Sequence, residues 1–135
     1  MPRPTVDLDP HAAELKLTIR ADSMPELFEE TARVVSRECG PVQGPPGEWE
    51  RITLTARDPG TLLVDWINEL IGRSEVTHRA FEDVRVATLT DTAIEAEVRG
   101  RPVSEFTSAL KAATFHGLRL AQEGTRWRAD VLIDV

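Results

Sequence analysis

The alternation of apolar and polar residues predicts the strands of this chain. Residues 14–21, ELKLTIRA, place Leu15, Leu17 and Ile19 on one face and polar neighbours on the other, which is the pattern of a half-buried strand. Comparable runs with turn residues between them predict further strands. These runs cover residues 49–56, 79–89, 92–99, 113–121 and 126–135.

Two other segments carry apolar residues at helical spacing. The first begins at Ser23, which opens a capping box, and ends near Gly40. The second begins at Asp58, an N-cap residue followed by proline, and carries an apolar stripe from Leu62 to Ile71. The sequence therefore predicts two amphipathic helices.

The order β-α-β-α-β-β-β-β indicates an α+β fold in which two helices pack on one mostly antiparallel sheet. Helix and strand recur in two similar units, residues 14–56 and 49–99, which suggests an internal β-α-β duplication. A chain of 135 residues is long enough for one sizeable core. We expect a single domain over residues 1–135.

Composition and charge indicate in which compartment the protein is expected and which partners are unlikely. No apolar run approaches the roughly 18 residues of a membrane span, and the first residues lack the apolar segment of a secretory signal. The single cysteine, Cys39, agrees with a reducing compartment, so we expect a soluble cytoplasmic protein. The net charge of −7 argues against direct binding of nucleic acid.

Common catalytic signatures are absent from the sequence, including phosphate-binding glycine loops, nucleophile elbows and zinc-ligand spacings. Of the three histidines, His11 precedes the first predicted strand and reads as a loop residue. His116 shares the phase of Leu118 and Leu120, which predicts a hydrogen-bonded histidine near the core.

The last predicted strand offers a candidate metal site. Its alternation places Asp134 on the face opposite the Val135 side chain, with the terminal carboxylate one residue further on. If this strand lies beside the first one, Glu14 supplies a third carboxylate. Oxygen ligands of this kind suit Ca²⁺, Mg²⁺ or Mn²⁺, with water completing the coordination shell. The same spacing also fits a merely solvated aspartate.

Four motifs in order resemble the archease family over nearly the whole chain. PHAAELKLTIRA followed by LFEETA is similar to the opening His-Thr-Ala-Asp strand and Leu-Phe helix of that family, and LLVDWINELI to its second-helix signature. LKAATFHGLRL resembles the Lys-Ala-Val-Thr-Tyr-His segment, and WRADVLIDV resembles the terminal strand.

This resemblance implies an accessory protein rather than an enzyme. Archeases activate the RtcB-type RNA ligase, which joins RNA 2′,3′-cyclic phosphate or 3′-phosphate ends to 5′-hydroxyl ends. They are thought to promote guanylylation of the ligase histidine with GTP and metal, and so to allow multiple turnovers. The expected partner is therefore that ligase, in tRNA splicing and processing, with no membrane involved.

The resemblance also assigns residues. The metal ligands of the family carry over to Glu14, Asp134 and Val135, although Glu14 stands where the family has Asp and Ala12 where it has Thr. The longer arm of glutamate is tolerated better by Ca²⁺ than by the geometrically strict Mg²⁺. We therefore expect a divalent cation, with Ca²⁺ preferred and Mg²⁺ or Mn²⁺ as alternatives.

Three further residues are expected at the contact with the ligase. Lys111 matches the lysine of the third motif and serves as a charge partner, with His11 and His116 beside it in the matched motifs. Two other functions stay open. One is a chaperone or binding module stabilised by the metal, and the other is a metal-dependent hydrolase in which Lys111 or His116 assists.

Overall fold

A computed structural model of the chain describes residues 5–9 as a backbone strand and residues 13–135 with their side chains. Within these ranges the chain forms two helices and seven strands. In chain order they are β1 (Thr5–Asp9), β2 (Glu14–Ala21), α1 (Met24–Arg37), β3 (Glu50–Thr55), α2 (Pro59–Thr77), β4 (Arg79–Leu89), β5 (Ala93–Pro102), β6 (Ala112–Glu123) and β7 (Arg126–Asp134). Neither described helix is long and apolar enough to cross a membrane.

Both predicted helix starts are confirmed by their caps. The Ser23 hydroxyl accepts a hydrogen bond from the backbone N–H of Glu26 at 3.3 Å. The Asp58 carboxylate accepts one from the N–H of Thr61 at 2.7 Å. Each bond satisfies an amide that has no partner within its helix. At the other end, α1 stops just before Gly40, whose φ of 120° is incompatible with a right-handed helix.

The α+β class is confirmed, whereas the prediction of one sheet is wrong. Within the described residues the strands form a four-stranded sheet, ordered β1-β2-β7-β6, and a three-stranded sheet, ordered β3-β5-β4. Every strand pair in them is antiparallel. Alternation identifies a strand but not its neighbour, which is why the sequence did not reveal the division.

The two helices pack together over the apolar faces of the sheets. Trp66 of α2 is fully buried, and its indole N–H donates a hydrogen bond to the carbonyl of Phe28 in α1 at 3.0 Å. The two rings lie 6.2 Å apart between centroids. The four-stranded sheet adds Leu17, Ile19, Ala129, Val131 and Ile133 to this core, and the three-stranded sheet adds Ile52, Ile94, Ala96 and Val98.

Helix side chains also contact the outer edges of the sheets. Glu29 of α1 accepts a hydrogen bond from the backbone N–H of Val86 in β4 at 3.1 Å. Val86 adjoins an irregularity in the β4–β5 register. The carboxylate thus satisfies an amide on the edge of the three-stranded sheet that no strand bonds.

Candidate functional site

Acidic positions lie in one row across the four-stranded sheet. The antiparallel register places Glu14 at the start of β2 opposite Asp134 at the end of β7. Asp9 of β1 is the register partner of Glu14. Directly opposed residues lie on the same face, with Cβ atoms about 4.5–5.5 Å apart. Glu14 and Asp134, which we call the carboxylate row, therefore occupy neighbouring positions on the face turned away from the core.

The end of the chain is fixed beside this row. The backbone N–H of Val135 donates a hydrogen bond to the carbonyl of Ala13 at 2.9 Å, which continues the pairing of β2 with β7 by one residue. The Val135 side chain is partly buried and packs against the core. Its backbone is therefore held one residue from Asp134 and next to the start of β2, which is the strand pairing on which the third carboxylate depended.

The chemistry of this site follows from its donor atoms. Glu14 and Asp134 are partly exposed and carry hard carboxylate oxygens, the ligands that Ca²⁺, Mg²⁺ and Mn²⁺ prefer. In the part of the chain that the structure describes, no group of three or more His, Cys, Asp or Glu side chains is arranged to hold a metal ion. The two carboxylates are the ligand type that a divalent cation prefers. Further oxygen donors are needed to complete the coordination shell of the cation.

Lys111 lies next to the row through its backbone. Its N–H donates a hydrogen bond to the carbonyl of Asp134 at 2.8 Å, immediately before β6 begins at Ala112. The lysine side chain is exposed. The LKAATFHGLRL segment therefore starts beside the terminal strand. Its lysine lies close in the fold to Asp134.

The sequence analysis also expected His11 and His116 at the contact with the ligase, and the structure treats the two differently. His11 lies outside the described residues. His116 is exposed, so the prediction of a histidine near the core is wrong. The register between β6 and β7 is irregular between Thr114 and Arg119, and this irregularity breaks the alternation that linked His116 to Leu118.

Asn68 of α2 is a positioning residue that the sequence did not reveal. Its side-chain oxygen accepts the N–H of Ala113 at 2.7 Å, and its NH₂ group donates to the carbonyl of Ala113 at 3.2 Å. The amide thus bonds both backbone groups of a residue in edge strand β6, one position from the register partner of Asp134. Asn68 is one of several polar residues beside the apolar stripe of α2, with Asp65 and Glu69, and the sequence does not single it out.

A buried carboxylate lies further along the same face. Asp130 is only 6% exposed, accepts a hydrogen bond from the Thr18 hydroxyl at 2.7 Å and pairs with Arg128 at 3.3 Å. Burial alone would raise the pKa of Asp130, but the Thr18 hydroxyl and the Arg128 guanidinium outweigh it, so the pKa lies below its ordinary value. The bond between Thr18 and Asp130 ties β2 to β7 beyond the carboxylate row.

Fold and site together define a small α+β protein whose last strand brings acidic residues beside the first strand pair. The sequence model of the archease protein family matches residues 7–135. The chain belongs to the archease family.

Curated relatives agree with this assignment. The chain is 28% identical over 134 residues to the protein archease of Methanosarcina mazei, covering 93% of this chain and 92% of that one. It is 26% identical over 133 residues to the protein archease of Methanopyrus kandleri, covering 93% of this chain and 95% of that one.

Solved structures share the fold. The solution structure of protein 1598 of Methanobacterium thermoautotrophicum superposes with a TM-score of 0.71 at 22% identity, covering 92% of this chain and 94% of that one. The crystal structure of an archease from Thermotoga maritima, described as a possible chaperone, gives a TM-score of 0.70 at 21% identity, covering 100% and 98%.

Proposed function

We propose that this protein activates an RtcB-type RNA ligase by promoting guanylylation of the ligase histidine, and so allows the ligase multiple turnovers. Membership of the archease family supports the proposal. The single structural observation that carries it is the register of Glu14 opposite Asp134, beside the fixed backbone of Val135. That arrangement agrees with the ligand positions implied by the archease motifs.

In this proposal a divalent cation binds to Glu14, Asp134 and the terminal carboxylate of Val135. The longer glutamate arm favours Ca²⁺, while Mg²⁺ and Mn²⁺ remain suited to the same donors. The cation would supply positive charge to the phosphate oxygens handled by the ligase. The chain itself contributes the rigid β2–β7 ladder, which holds two of the donors in fixed register.

Lys111 provides a second positive charge beside the carboxylate row. Its backbone bond to Asp134 fixes the start of its side chain, whose exposed ammonium can reach a bound partner. A lysine is suited to pairing with a phosphate or a carboxylate as a flexible point charge. We assign it to the contact with the ligase.

The decisive experiment is multiple-turnover joining of a 3′-phosphate RNA to a 5′-hydroxyl RNA by the ligase of the same organism. The reaction contains GTP and Mn²⁺, with and without this protein. We expect single-turnover ligation without it and repeated turnover with it. No gain, with a ligase that is active for one turnover, would contradict the proposal.

The second candidate is a metal-stabilised chaperone or binding module. The description of the Thermotoga maritima archease as a possible chaperone favours it. A ligand that binds only the folded state raises its stability by mass action. A rise in the melting temperature with Ca²⁺, together with no effect on ligation, would support this candidate over ligase activation.

A further inference from the structure

Strand β6 contains a pronounced bulge close to the carboxylate row. It is in register with β7 up to Thr114 and again from Arg119, but the intervening residues 115–118 stand opposite Val131 alone. Gly117, which lies within it, has a φ of 68°, a backbone conformation that residues other than glycine rarely adopt. We call residues 115–118 the β6 bulge. Such bulges re-aim side chains and terminate pairing.

Helix α2 holds the chain at both ends of the β6 bulge. Before it, the Asn68 side chain bonds both backbone groups of Ala113. At its last residue, Leu118 packs so closely on Gly60 that a Cβ at that glycine would lie 3.1 Å from Leu118 Cδ2. These contacts hold both ends of the bulge against α2, which lowers the conformational entropy that it would lose on binding a partner.

The β6 bulge presents an aromatic ring to solvent. Phe115 is 54% exposed, and it is the one exposed aromatic residue in the described part of the chain. The other large apolar residues exposed there are Val42, in a loop, and Val76, in the last turn of α2. Buried aromatic side chains are enriched at the centres of protein interfaces and among the residues that dominate binding energy.

Two cations without an ion partner in the described chain, Lys111 and Arg119, flank Phe115 along strand β6 and the residue before it. Most arginines of the described chain pair with a carboxylate, but no ion pair joins Lys111 or Arg119 to one among the described residues. Both side chains are exposed, as is that of His116 within the bulge. An apolar anchor with a cationic rim complements an apolar pocket bordered by acidic groups.

We propose that the β6 bulge is the element by which this protein docks on the ligase. Phe115 enters an apolar pocket of the ligase, and acidic residues around that pocket pair with Lys111 and Arg119. This inference rests on the proposed function, since it names the surface that brings the carboxylate row to the ligase. A protein surface is favoured over RNA because the chain carries a net charge of −7.

The test measures the Kd of this protein for the RNA-free ligase by calorimetry. Phe115→Ser should raise the Kd tenfold or more, and Phe115→Tyr, which keeps the ring, should leave it nearly unchanged. Val76→Ser is the control, because it removes an apolar side chain that is even more exposed than Phe115 but lies in the last turn of α2. Arg119→Gln should slow association and weaken its dependence on salt.

The same series includes turnover assays and circular dichroism of each variant. A folded Phe115→Ser variant should regain full turnover when its concentration is raised above the new Kd. An unchanged Kd would overturn the docking assignment alone. Weakening seen only with RNA-loaded ligase would also overturn it and assign the ring to RNA. A wild-type protein that neither binds nor activates the ligase would overturn the proposed function as well.

Discussion

Replacing the Asp134 side chain should weaken cation binding with little effect on the stability of the fold. This side chain is partly exposed on the outer face of the sheet, so Asp134→Asn should change the free energy of unfolding by no more than about 0.5 kcal/mol. The amide is a poorer donor to a hard cation, and we expect at least tenfold weaker binding of Ca²⁺ and Mn²⁺ with a parallel loss of ligase activation. Calorimetric titration measures the first effect. Equal cation affinity in the variant would refute the ligand assignment.

A matched control is available for this substitution. Asp91 is exposed in the turn between β4 and β5, outside the four-stranded sheet. Asp91→Asn makes the same chemical change and alters the net charge by the same amount. We expect it to leave both cation affinity and ligase activation unchanged.

Asp130 makes the stability of the protein depend on pH. Its folded-state pKa is lowered, so the stabilisation is present at neutral pH and is lost as pH falls through that pKa. Asp130→Asn should lower the free energy of unfolding by about 1–3 kcal/mol at neutral pH, with a smaller difference at an acidic pH below the ordinary aspartate pKa of about 3.9. Urea unfolding at both pH values measures this.

The exposed Asp22 serves as the comparison for Asp130. It pairs with Arg126 at 3.0 Å, but its side chain is 76% exposed, and such surface pairs contribute about 0–1 kcal/mol. Asp22→Asn should therefore have little effect at either pH. A difference between wild type and Asp130→Asn that is the same at both pH values would contradict the assignment of the lowered pKa.

Single positions were predictable where they lay in an unbroken alternation. Glu14 and Asp134 sit at the ends of regular strands, so alternation placed each on a polar face, but the expectation that they meet came from the archease resemblance and not from the period. His116 lies within a register irregularity, and a two-residue alternation cannot predict inserted residues. The pairing of Asn68 with Ala113 was equally hidden, because it depends on how α2 lies against the edge of β6.

Among the secondary-structure elements, both helices and six of the seven described strands were predicted from periodicity and caps. Strand β1 was missed because TVDLD is short and prolines flank it on both sides, which favours a loop interpretation. The partners of each strand were not predictable either. β2 pairs with β7 from the far end of the chain, and such long-range pairing leaves no local signal.

The contact between α2 and β6 should control the order of the edge strand. Asn68→Leu removes both hydrogen bonds to Ala113. The backbone N–H and C=O of Ala113 then lack their side-chain partner. We expect the free energy of unfolding to fall by about 1–3 kcal/mol and the Ala113 amide to exchange with solvent much faster. Hydrogen exchange resolved by residue measures the local effect.

Glu69, the next residue of α2, provides the control. Its ion pair with Arg73 spans 3.7 Å at the surface, so Glu69→Gln should cost no more than about 0.5 kcal/mol. Protection of Ala113 should be unchanged in that variant. If Asn68→Leu also left the Ala113 amide protected, the amide pairing would have no role in holding the strand.

For the molecule as a whole, cation binding should appear as thermal stability. Ca²⁺ at one hundred times its Kd would add about 2.7 kcal/mol to the folded state. A short peptide extension after Val135 removes the free carboxylate, so we expect the rise in melting temperature with Ca²⁺ to be lost. The same extension at the N-terminus should preserve it. Equal rises in both proteins, measured by calorimetry, would exclude the terminal carboxylate as a ligand.

The side chains of the helices have a consequence for behaviour at high concentration. Glu29 accepts a hydrogen bond from the Val86 amide on the β4 edge of the three-stranded sheet. Asn68 bonds both backbone groups of Ala113 on the β6 edge of the four-stranded sheet. An incoming strand would find an interrupted ladder at either edge. These two contacts oppose edge-to-edge aggregation, and we expect replacement of both side chains by apolar residues to promote association between the exposed edges of the sheets.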